Sequence, residues 1–146
     1  MSNRSGSRID LILIVDSFAW IEFFRAGKHG PRVRHHLETA ENLVCPDIVL
    51  AEVARKFGRD GMELSTIEGH LRTMGSLSAV RAIDARIALE TIRADTDLKR
   101  HARLRKLELP GFADAILLGF ARALDALVLT GDPHFEGLPE TQWMAG

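Results

Sequence analysis

Short, unbroken apolar runs alternate with longer amphipathic stretches along this chain, and the alternation limits the folds that it can adopt. The runs at 11–15 (LILIV), 43–45 (LVC) and 127–130 (LVLT) are typical of strands that are buried on both faces. Residues 77–83 predict another strand, and residues 141–144 predict a short fifth one. Because helical sequence separates the strands, the connections must cross over. We therefore predict an α/β fold with a mostly parallel sheet of four or five strands and helices on both sides.

Apolar spacings of three and four residues, together with capping residues, predict six helices between these strands. The predicted helices are residues 17–27, ended by Gly27; a helix that Pro31 opens; Asp47 to Gly58, with Asp47 as the N-cap; Ser65 to Gly75, opened by a capping box of Ser65 and Glu68; Asp84 to about Leu107, with Asp84 as the N-cap; and residues 112–124.

Length and composition predict one folded domain over residues 10–146. With 146 residues, 46% hydrophobic and 27% charged, the chain is long enough for one core and short for two. Residues 1–9 are polar and rich in Ser and Gly, which predicts a disordered N-terminus. No apolar run approaches the ~18 residues of a membrane span, and none has the length of a signal-peptide core. The one cysteine, Cys45, cannot form an internal disulfide, so we expect a reduced, cytoplasmic protein.

Acidic residues stand directly after predicted strands. Asp16 follows the first strand, and Asp132 follows the strand at 127–130 after one glycine. In an open α/β sheet, functional sites lie outside the carboxyl ends of the strands. Asp47 also follows a strand, but there we favour a role as helix cap. A cap is the structural alternative for Asp16 and Asp132 as well.

Two further acids lie on helices that should pack against the same sheet. Asp114 is the one charge in the apolar segment FADAILLGF (112–120), where an unpaired buried carboxylate would be costly. Its structural alternative is a place in the first helical turn, where the helix dipole favours an acid. Glu52 lies beside an apolar stripe, with a solvated pair to Lys56 as its alternative.

Four converging carboxylates with no thiol or spaced histidine pair nearby indicate a site for a hard cation. Mg²⁺ and Mn²⁺ prefer oxygen ligands and often complete their shells with water and substrate phosphate. The sequence contains no GxSxG, HExxH, Walker or GxGxxG motif, so other common chemistries have no support.

The net charge of −1 excludes a protein that coats nucleic acid through its overall charge, so a phosphate-binding surface would have to be local. Residues 99–106 (KRHARLRK) form a basic strip on a predicted helix, which is either such a surface or a solvated face. The candidates for phosphate contacts are Lys99, Arg100 and Arg103 in this strip, and Arg25 and Lys56 near the predicted acids.

Three segments in order carry a resemblance to a known family: IVDSFAWIEFF, VLAEVARKF and LPGFADAILLGFARALDALVLTGDPHF. Together they resemble the PIN domain, and more narrowly the VapC toxin ribonucleases of toxin–antitoxin pairs. The likeness spans residues 11–138 and places an acid in each expected position. It is weak between residues 59 and 110.

The resemblance implies an endoribonuclease that depends on Mg²⁺ or Mn²⁺, with Asp16, Glu52, Asp114 and Asp132 as catalytic and metal-binding acids. It implies that Ser17 and Thr130 orient those acids. A homodimer and a VapB-like antitoxin that covers the site are also implied. In the family an Asp often stands where this chain has His134, which puts a fifth ligand in doubt.

The apolar surplus at Phe18, Trp20, Phe23 and Phe24 predicts a place for the dimer interface on the first helix. Two alternatives to the ribonuclease stay open. One is a PIN-like protein that binds RNA or a partner without cutting. The other, which the sequence favours less, is a receiver-type signalling domain, since such domains also carry acids at the ends of parallel strands.

Overall fold

The computed structural model describes residues 11–145, so the N-terminus predicted to be disordered, residues 1–9, lies outside the described residues. The strands of the described part are β1 (Ile12–Val15), β2 (Asn42–Pro46), β3 (Ala79–Arg81), β4 (Leu127–Thr130) and β5 (Thr141–Trp143). Its α-helices are α1 (Ser17–Arg25), α2 (Gly30–Thr39), α3 (Asp47–Arg59), α4 (Leu64–Leu77), α5 (Ala85–Leu104) and α6 (Phe112–Leu124). A 3₁₀ turn, Pro133–Phe135, follows β4.

The five strands form one sheet in the order β3-β2-β1-β4-β5, and every neighbouring pair is parallel. The predicted parallel α/β sheet is therefore confirmed. From β1 to β3 the chain moves towards one edge of the sheet, and from β3 it crosses back to β4. Because such crossovers are right-handed, α1 to α4 cover one face and α5 and α6 cover the other. The direction of winding reverses between β1 and β4.

The central strands form the middle of the hydrophobic core because helices cover both of their faces. Ile14 and Val15 of β1 and Val128 and Leu129 of β4 are fully buried. This continuous burial is the reason that their sequences are unbroken apolar runs.

Helices α5 and α6 pack closely at Gly119. A methyl group at this glycine would lie 3.1 Å from the backbone nitrogen of Thr91 and 3.2 Å from the carbonyl oxygen of Ile87. Only glycine permits this approach of the two helix backbones without a shift.

Several predicted helix ends were wrong. Asp47 is the first residue of α3 and not its N-cap, because Pro46 occupies the extended capping position. Likewise, α4 begins at Leu64 with Glu63 as its N-cap, so Ser65 and Glu68 do not form the predicted capping box. Gly75 does not end α4, and a left-handed Ala26 ends α1 one residue before Gly27. The predicted cap at Asp84 is confirmed, since its side chain accepts a hydrogen bond from the Ile87 N–H.

The aromatic residues of α1 do not form the exposed apolar face that was predicted. Trp20 is fully buried, and Phe23 and Phe24 are partly buried against the core. Phe24 also stacks on His70 of α4, with ring centroids 4.2 Å apart. Phe18 alone of this group is exposed, at 46%. Beyond Phe18, these aromatic residues offer little exposed apolar surface for a dimer interface, and the dimer stays a prediction.

None of the helices within residues 11–145 has both the length and the apolar character that crossing a membrane requires.

Candidate active site

The carboxyl ends of β1 and β4 lie side by side at the point where the sheet reverses its winding. The Asp16 N–H donates to the Leu129 carbonyl at 3.1 Å, which continues the ladder between these two strands. Switch points of this kind leave a crevice in which ligands bind. The predicted strand-end acids, Asp16 and Asp132, both lie at this point.

Asp16 is 3% exposed and held by two hydroxyl-bearing neighbours. Its Oδ1 accepts from the Ser17 N–H at 2.7 Å, which caps α1, and its Oδ2 accepts from the Thr130 hydroxyl at 2.6 Å. Burial and the negative charges of the neighbouring acids raise the pKa of Asp16 to about 7, against the lowering effect of the Thr130 hydrogen bond.

Thr130 links the two strand-end acids. Besides donating to Asp16, its Oγ1 accepts from the Asp132 N–H at 2.9 Å. Asp132 in turn caps the 3₁₀ turn, because its Oδ1 accepts from the His134 N–H at 3.0 Å. The Ser17 hydroxyl donates to Asp16 Oδ1 over a longer distance of 3.4 Å, so the hydroxyls of Ser17 and Thr130 both contact a site acid.

Asp114 lies in the first turn of α6 and is half-buried. Its Oδ2 accepts from the Gly111 N–H at 3.2 Å, so it also closes the N-terminus of the helix. Burial and the charge of Asp132 raise the pKa of Asp114 to about 6. Asp114, Asp132 and His134 each offer one ligand atom, and these atoms lie within 4.8 Å of one another.

Glu52 extends from α3 towards the same acids. Its Oε1 is buried and has no hydrogen-bond partner among the described residues. Burial raises the pKa of Glu52 and the charge of Asp114 raises it further, whereas Arg55 opposes the shift.

The four predicted acids are close enough for each to be repelled by others. Asp16 feels the charges of Glu52, Asp114 and Asp132. A bound divalent cation would give the buried carboxylate oxygen a partner and would offset the repulsion among the carboxylates. The residues present therefore fit a hard cation.

His134 is a residue of this site that the sequence patterns left in doubt. Its Nδ1 lies 2.9 Å from Asp132 Oδ1, and its Nε2 lies 2.8 Å from the carbonyl oxygen of Glu108. Burial alone would lower the pKa of His134, but the hydrogen bonds to Asp132 and Glu108 raise it above its ordinary value.

The end of α5 holds the loop that follows Asp132. Arg105 donates to the carbonyl oxygens of Pro133 and Glu136 at 3.1 Å and 2.7 Å, and His101 lies 2.8 Å from the second of these. Part of the basic sequence at 99–106 therefore stabilises this loop. The charge pattern alone could not distinguish that structural role from phosphate binding.

A groove of about 400 Å³ adjoins the acids between α1 and α3. Ser17 and Glu52 lie in its wall, as do two of the predicted phosphate contacts, Arg25 and Lys56. Both of these form ion pairs with Asp60. Arg55 and Arg59 also line the groove. They were not among the predicted phosphate contacts, although positions 52, 55, 56 and 59 recur at helical spacing on one face of α3.

The structure does not bring the other predicted phosphate contacts into this groove. Lys99 pairs with Asp95, and Arg100 pairs with Asp97, both along α5. Arg103 is exposed near the end of the same helix. Their role in phosphate binding stays a prediction.

Acidic side chains at the switch point of a parallel sheet define an α/β protein with a candidate cation site. This chain belongs to the PIN domain family, whose model matches residues 13–140. The sheet order also removes the receiver alternative, because receiver domains of the flavodoxin-like type have the order 2-1-3-4-5. No curated protein matches the sequence significantly.

Solved structures of toxin–antitoxin proteins share this fold. A toxin–antitoxin complex from Klebsiella pneumoniae has a TM-score of 0.66 at 19% identity, covering 90% of this chain and 97% of that chain. VapC20 from Mycobacterium tuberculosis, a sarcin-ricin loop cleaving toxin, has a TM-score of 0.67 at 16% identity, covering 88% of this chain and 95% of that chain. VapBC2 from Rickettsia felis, bound to a DNA fragment from its promoter, has a TM-score of 0.66 at 17% identity, covering 90% of this chain and 98% of that chain.

Proposed function

We propose that this chain is an Mg²⁺- or Mn²⁺-dependent endoribonuclease that acts in the cytoplasm on single-stranded or structured RNA, as the toxin of a toxin–antitoxin pair. The observation that carries the proposal is the convergence of four carboxylates, with the buried Oε1 of Glu52 left without a partner. Membership of the PIN domain family and the fold shared with VapC toxins support the same conclusion.

Asp16 and Asp114 would hold the first cation, and Asp132 and Glu52 would complete the site directly or through water. When bound, the cation lowers the pKa of a coordinated water molecule and neutralises charge that develops on the phosphoryl group. Because the pKa values of Asp16 and Asp114 are raised to about 7 and about 6, a cation would compete with protons for these carboxyls as the pH falls below neutral.

The neighbouring residues orient these acids and contact the substrate. Ser17 and Thr130 fix the Asp16 carboxylate through hydrogen bonds to both of its oxygens. Arg25 and Lys56 would contact RNA phosphates from the groove that adjoins the acids. Lys99, Arg100 and Arg103 would provide weaker contacts along α5.

A VapB-like antitoxin is the proposed protein partner. The structures from Klebsiella pneumoniae and Rickettsia felis support it, since the first is a toxin–antitoxin complex and the second is VapBC2. Inhibition would follow from an antitoxin segment that covers the acids.

We also propose a homodimer, with its interface on the exposed apolar surface of α5 and α6. A cavity between these helices is lined by Ile83, Ile92 and Phe112, each of which is at least 42% exposed. An apolar surface of this kind is typical of an interface. This surface replaces the interface on α1 that the sequence predicted.

Incubation of the purified chain with unstructured RNA tests the proposed activity. We expect internal cleavage in Mg²⁺ or Mn²⁺ and none in excess chelator. Robust cleavage in chelator would exclude the metal mechanism. Binding of RNA without cleavage in either metal would favour the alternative, a PIN-like protein that does not cut.

A further inference from the structure

The groove between α1 and α3 joins an exposed aromatic side chain to unpaired cations beside the acid site. Both helices begin at the carboxyl edge of the sheet, so their first turns flank the acids. Phe18 lies two residues after Asp16 and is 46% exposed within this groove. Phe18 and Phe112 are the exposed phenylalanines of residues 11–145, and the cavity at Phe112 contains none of the four acids.

The charges of the groove favour a polyanion. Its acids are Glu52, which belongs to the metal site, and Glu22, whose Oε2 accepts from the His29 N–H at 2.7 Å. Asp60 pairs with Arg25 and Lys56. Arg55 and Arg59 make no ion pair with any residue between 11 and 145, so their charges remain available to a ligand.

The dimensions of the groove suit one or two unpaired nucleotides. Its volume of about 400 Å³ lies within the range of small-ligand pockets. From Glu52 to Arg59 the α3 helix rises about 10 Å, since each residue adds about 1.5 Å. An aromatic face at the acid end with cations beyond it is the arrangement by which proteins bind single-stranded nucleic acids.

We infer that this groove binds the unpaired nucleotides next to the scissile phosphate, with one base stacked on Phe18 and the following phosphates held by Arg55 and Arg59. The inference rests on the proposed ribonuclease function. It adds a base-stacking residue and two phosphate contacts, and it requires that the substrate be unpaired at the site of cleavage.

Binding of RNA to an Asp114→Asn host protein in Mg²⁺ tests the inference without cleavage. The probes are an unstructured RNA oligonucleotide, the same RNA in a duplex, and an abasic oligonucleotide with the same backbone. We expect Phe18→Ala to weaken binding of the unstructured RNA roughly 5- to 150-fold. The same substitution should leave binding of the abasic oligonucleotide unchanged, because that oligonucleotide has no base to stack.

Matched variants separate stacking from apolar bulk and from folding. Phe18→Trp should retain affinity, whereas Phe18→Leu should lose most of it, because leucine fills the space without an aromatic face. Leu64→Ala, at a residue of α4 that is 82% exposed, controls for loss of an exposed apolar side chain. Melting temperatures of all variants show whether each one is folded.

Salt dependence tests the cations. Arg59→Gln should lower the slope of log affinity against log salt by about 0.7, the value for one contact to a single-strand phosphate. Phe18→Ala should leave that slope unchanged. Arg72→Gln, which removes a cation of α4 that pairs with Glu68 in solvent, should change neither affinity nor slope.

The inference would be overturned if Phe18→Ala bound unstructured RNA as tightly as the Asp114→Asn host does. It would also be overturned if Phe18→Ala lost as much affinity for the abasic oligonucleotide as for the unstructured RNA. Cleavage by the unsubstituted protein is measured on the same RNA, so that failure of the ribonuclease proposal is distinguished from failure of the groove.

Discussion

The hydroxyl of Thr130 donates a 2.6 Å hydrogen bond to Oδ2 of Asp16, across 114 positions of sequence. It joins the ends of β1 and β4, the two strands between which the sheet reverses. Because the Oγ1 of Thr130 also accepts from the Asp132 N–H, the Thr130 side chain sets the positions of both acids.

Thr130→Val should therefore damage both the site and the fold. Valine has the shape of threonine without the hydroxyl, so Asp16 loses a donor and the buried Asp132 N–H loses its acceptor. We expect the unfolding free energy to fall by about 1–3 kcal/mol. Cleavage and metal affinity should fall by about 10- to 100-fold, as is usual when a partner of a metal ligand is removed.

Thr130→Ser is the matched control, because it keeps the hydroxyl and loses the methyl group. Metal titration and cleavage assays on the two variants should separate them clearly. Similar activity in both would show that the hydrogen bond to Asp16 does not position the acid.

Stabilisation by metal should increase with pH. The folded-state pKa values of Asp16 and Asp114 are raised, to about 7 and about 6, so in the absence of metal these groups favour the folded state at low pH. That contribution is lost as pH rises from about 4 through about 7. A cation binds the ionised forms, so Mg²⁺ should raise the melting temperature more at pH 8 than at pH 5.5.

The measurement is a set of melting curves with Mg²⁺ and with chelator at both pH values. Comparing the metal-induced shift within each pH cancels the titration of groups outside the site, such as His36, whose pKa is lowered by burial. A shift of equal size at both pH values would contradict the assignment of these carboxyls to the cation site.

Arg122 should contribute to stability and not to catalysis. It joins α6 to α5 through Asp97 at 2.8 Å and to the segment before β5 through Glu140 at 3.1 Å, and all three side chains are partly buried. Arg122→Met would remove the cation that Glu140 pairs with and leave Asp97 paired with the more exposed Arg100. We expect a loss of about 1–2 kcal/mol in denaturant unfolding.

Arg72→Gln is the control for an exposed ion pair, and it should cost less than about 0.5 kcal/mol. Cleavage per folded molecule should stay at the parent rate in Arg122→Met. Equal stability of the two variants would show that the Arg122 network adds nothing to the fold.

Ile92 tests the proposed dimer interface. It is 68% exposed in the cavity between α5 and α6, so a charge there should prevent close packing of a second copy. In sedimentation at micromolar concentration we expect the parent to be at least a dimer and Ile92→Glu to be a monomer. Leu64→Glu, on α4, should sediment like the parent. A monomeric parent, or a dimeric Ile92→Glu variant, would refute this interface.

The sheet could be predicted from the sequence because strands buried on both faces need continuous apolar runs. The cap at Asp84 was also predictable, since a short acidic side chain just before a helix commonly accepts a hydrogen bond from an N–H of the first turn. The cap predicted at Asp47 failed because Pro46 already has the extended conformation that the N-cap requires. Local residue types alone do not distinguish these two cases.

The burial of individual side chains and the role of His134 depend on tertiary packing and could not be predicted from the sequence. Trp20 is fully buried in the core, and Phe24 is partly buried with its ring stacked on His70 of α4, a contact that joins helices distant in sequence. His134 was hard to assign because its partner, the Glu108 carbonyl, lies in a loop before α6. The approach of Asp16, Asp132 and Asp114 was predictable, by contrast, because two strand ends and one helix start meet at one edge of the sheet. Glu52 reaches the same acids from the second turn of α3.

The rate of RNA cleavage by Asp114→Asn in saturating Mg²⁺ tests the central claim most directly. Asparagine can still accept from the Gly111 N–H, so only the charge is lost. We predict a rate at least about a hundredfold below that of the parent, by analogy with the loss of a key electrostatic contact. In chelator the melting temperature should be unchanged or higher, since a repelled carboxylate is gone, and the stabilisation by Mg²⁺ should disappear. A variant that cuts RNA at the parent rate yet melts well below the parent in chelator would contradict the claim, because Asp114 would then be a helix cap and not part of a four-acid site.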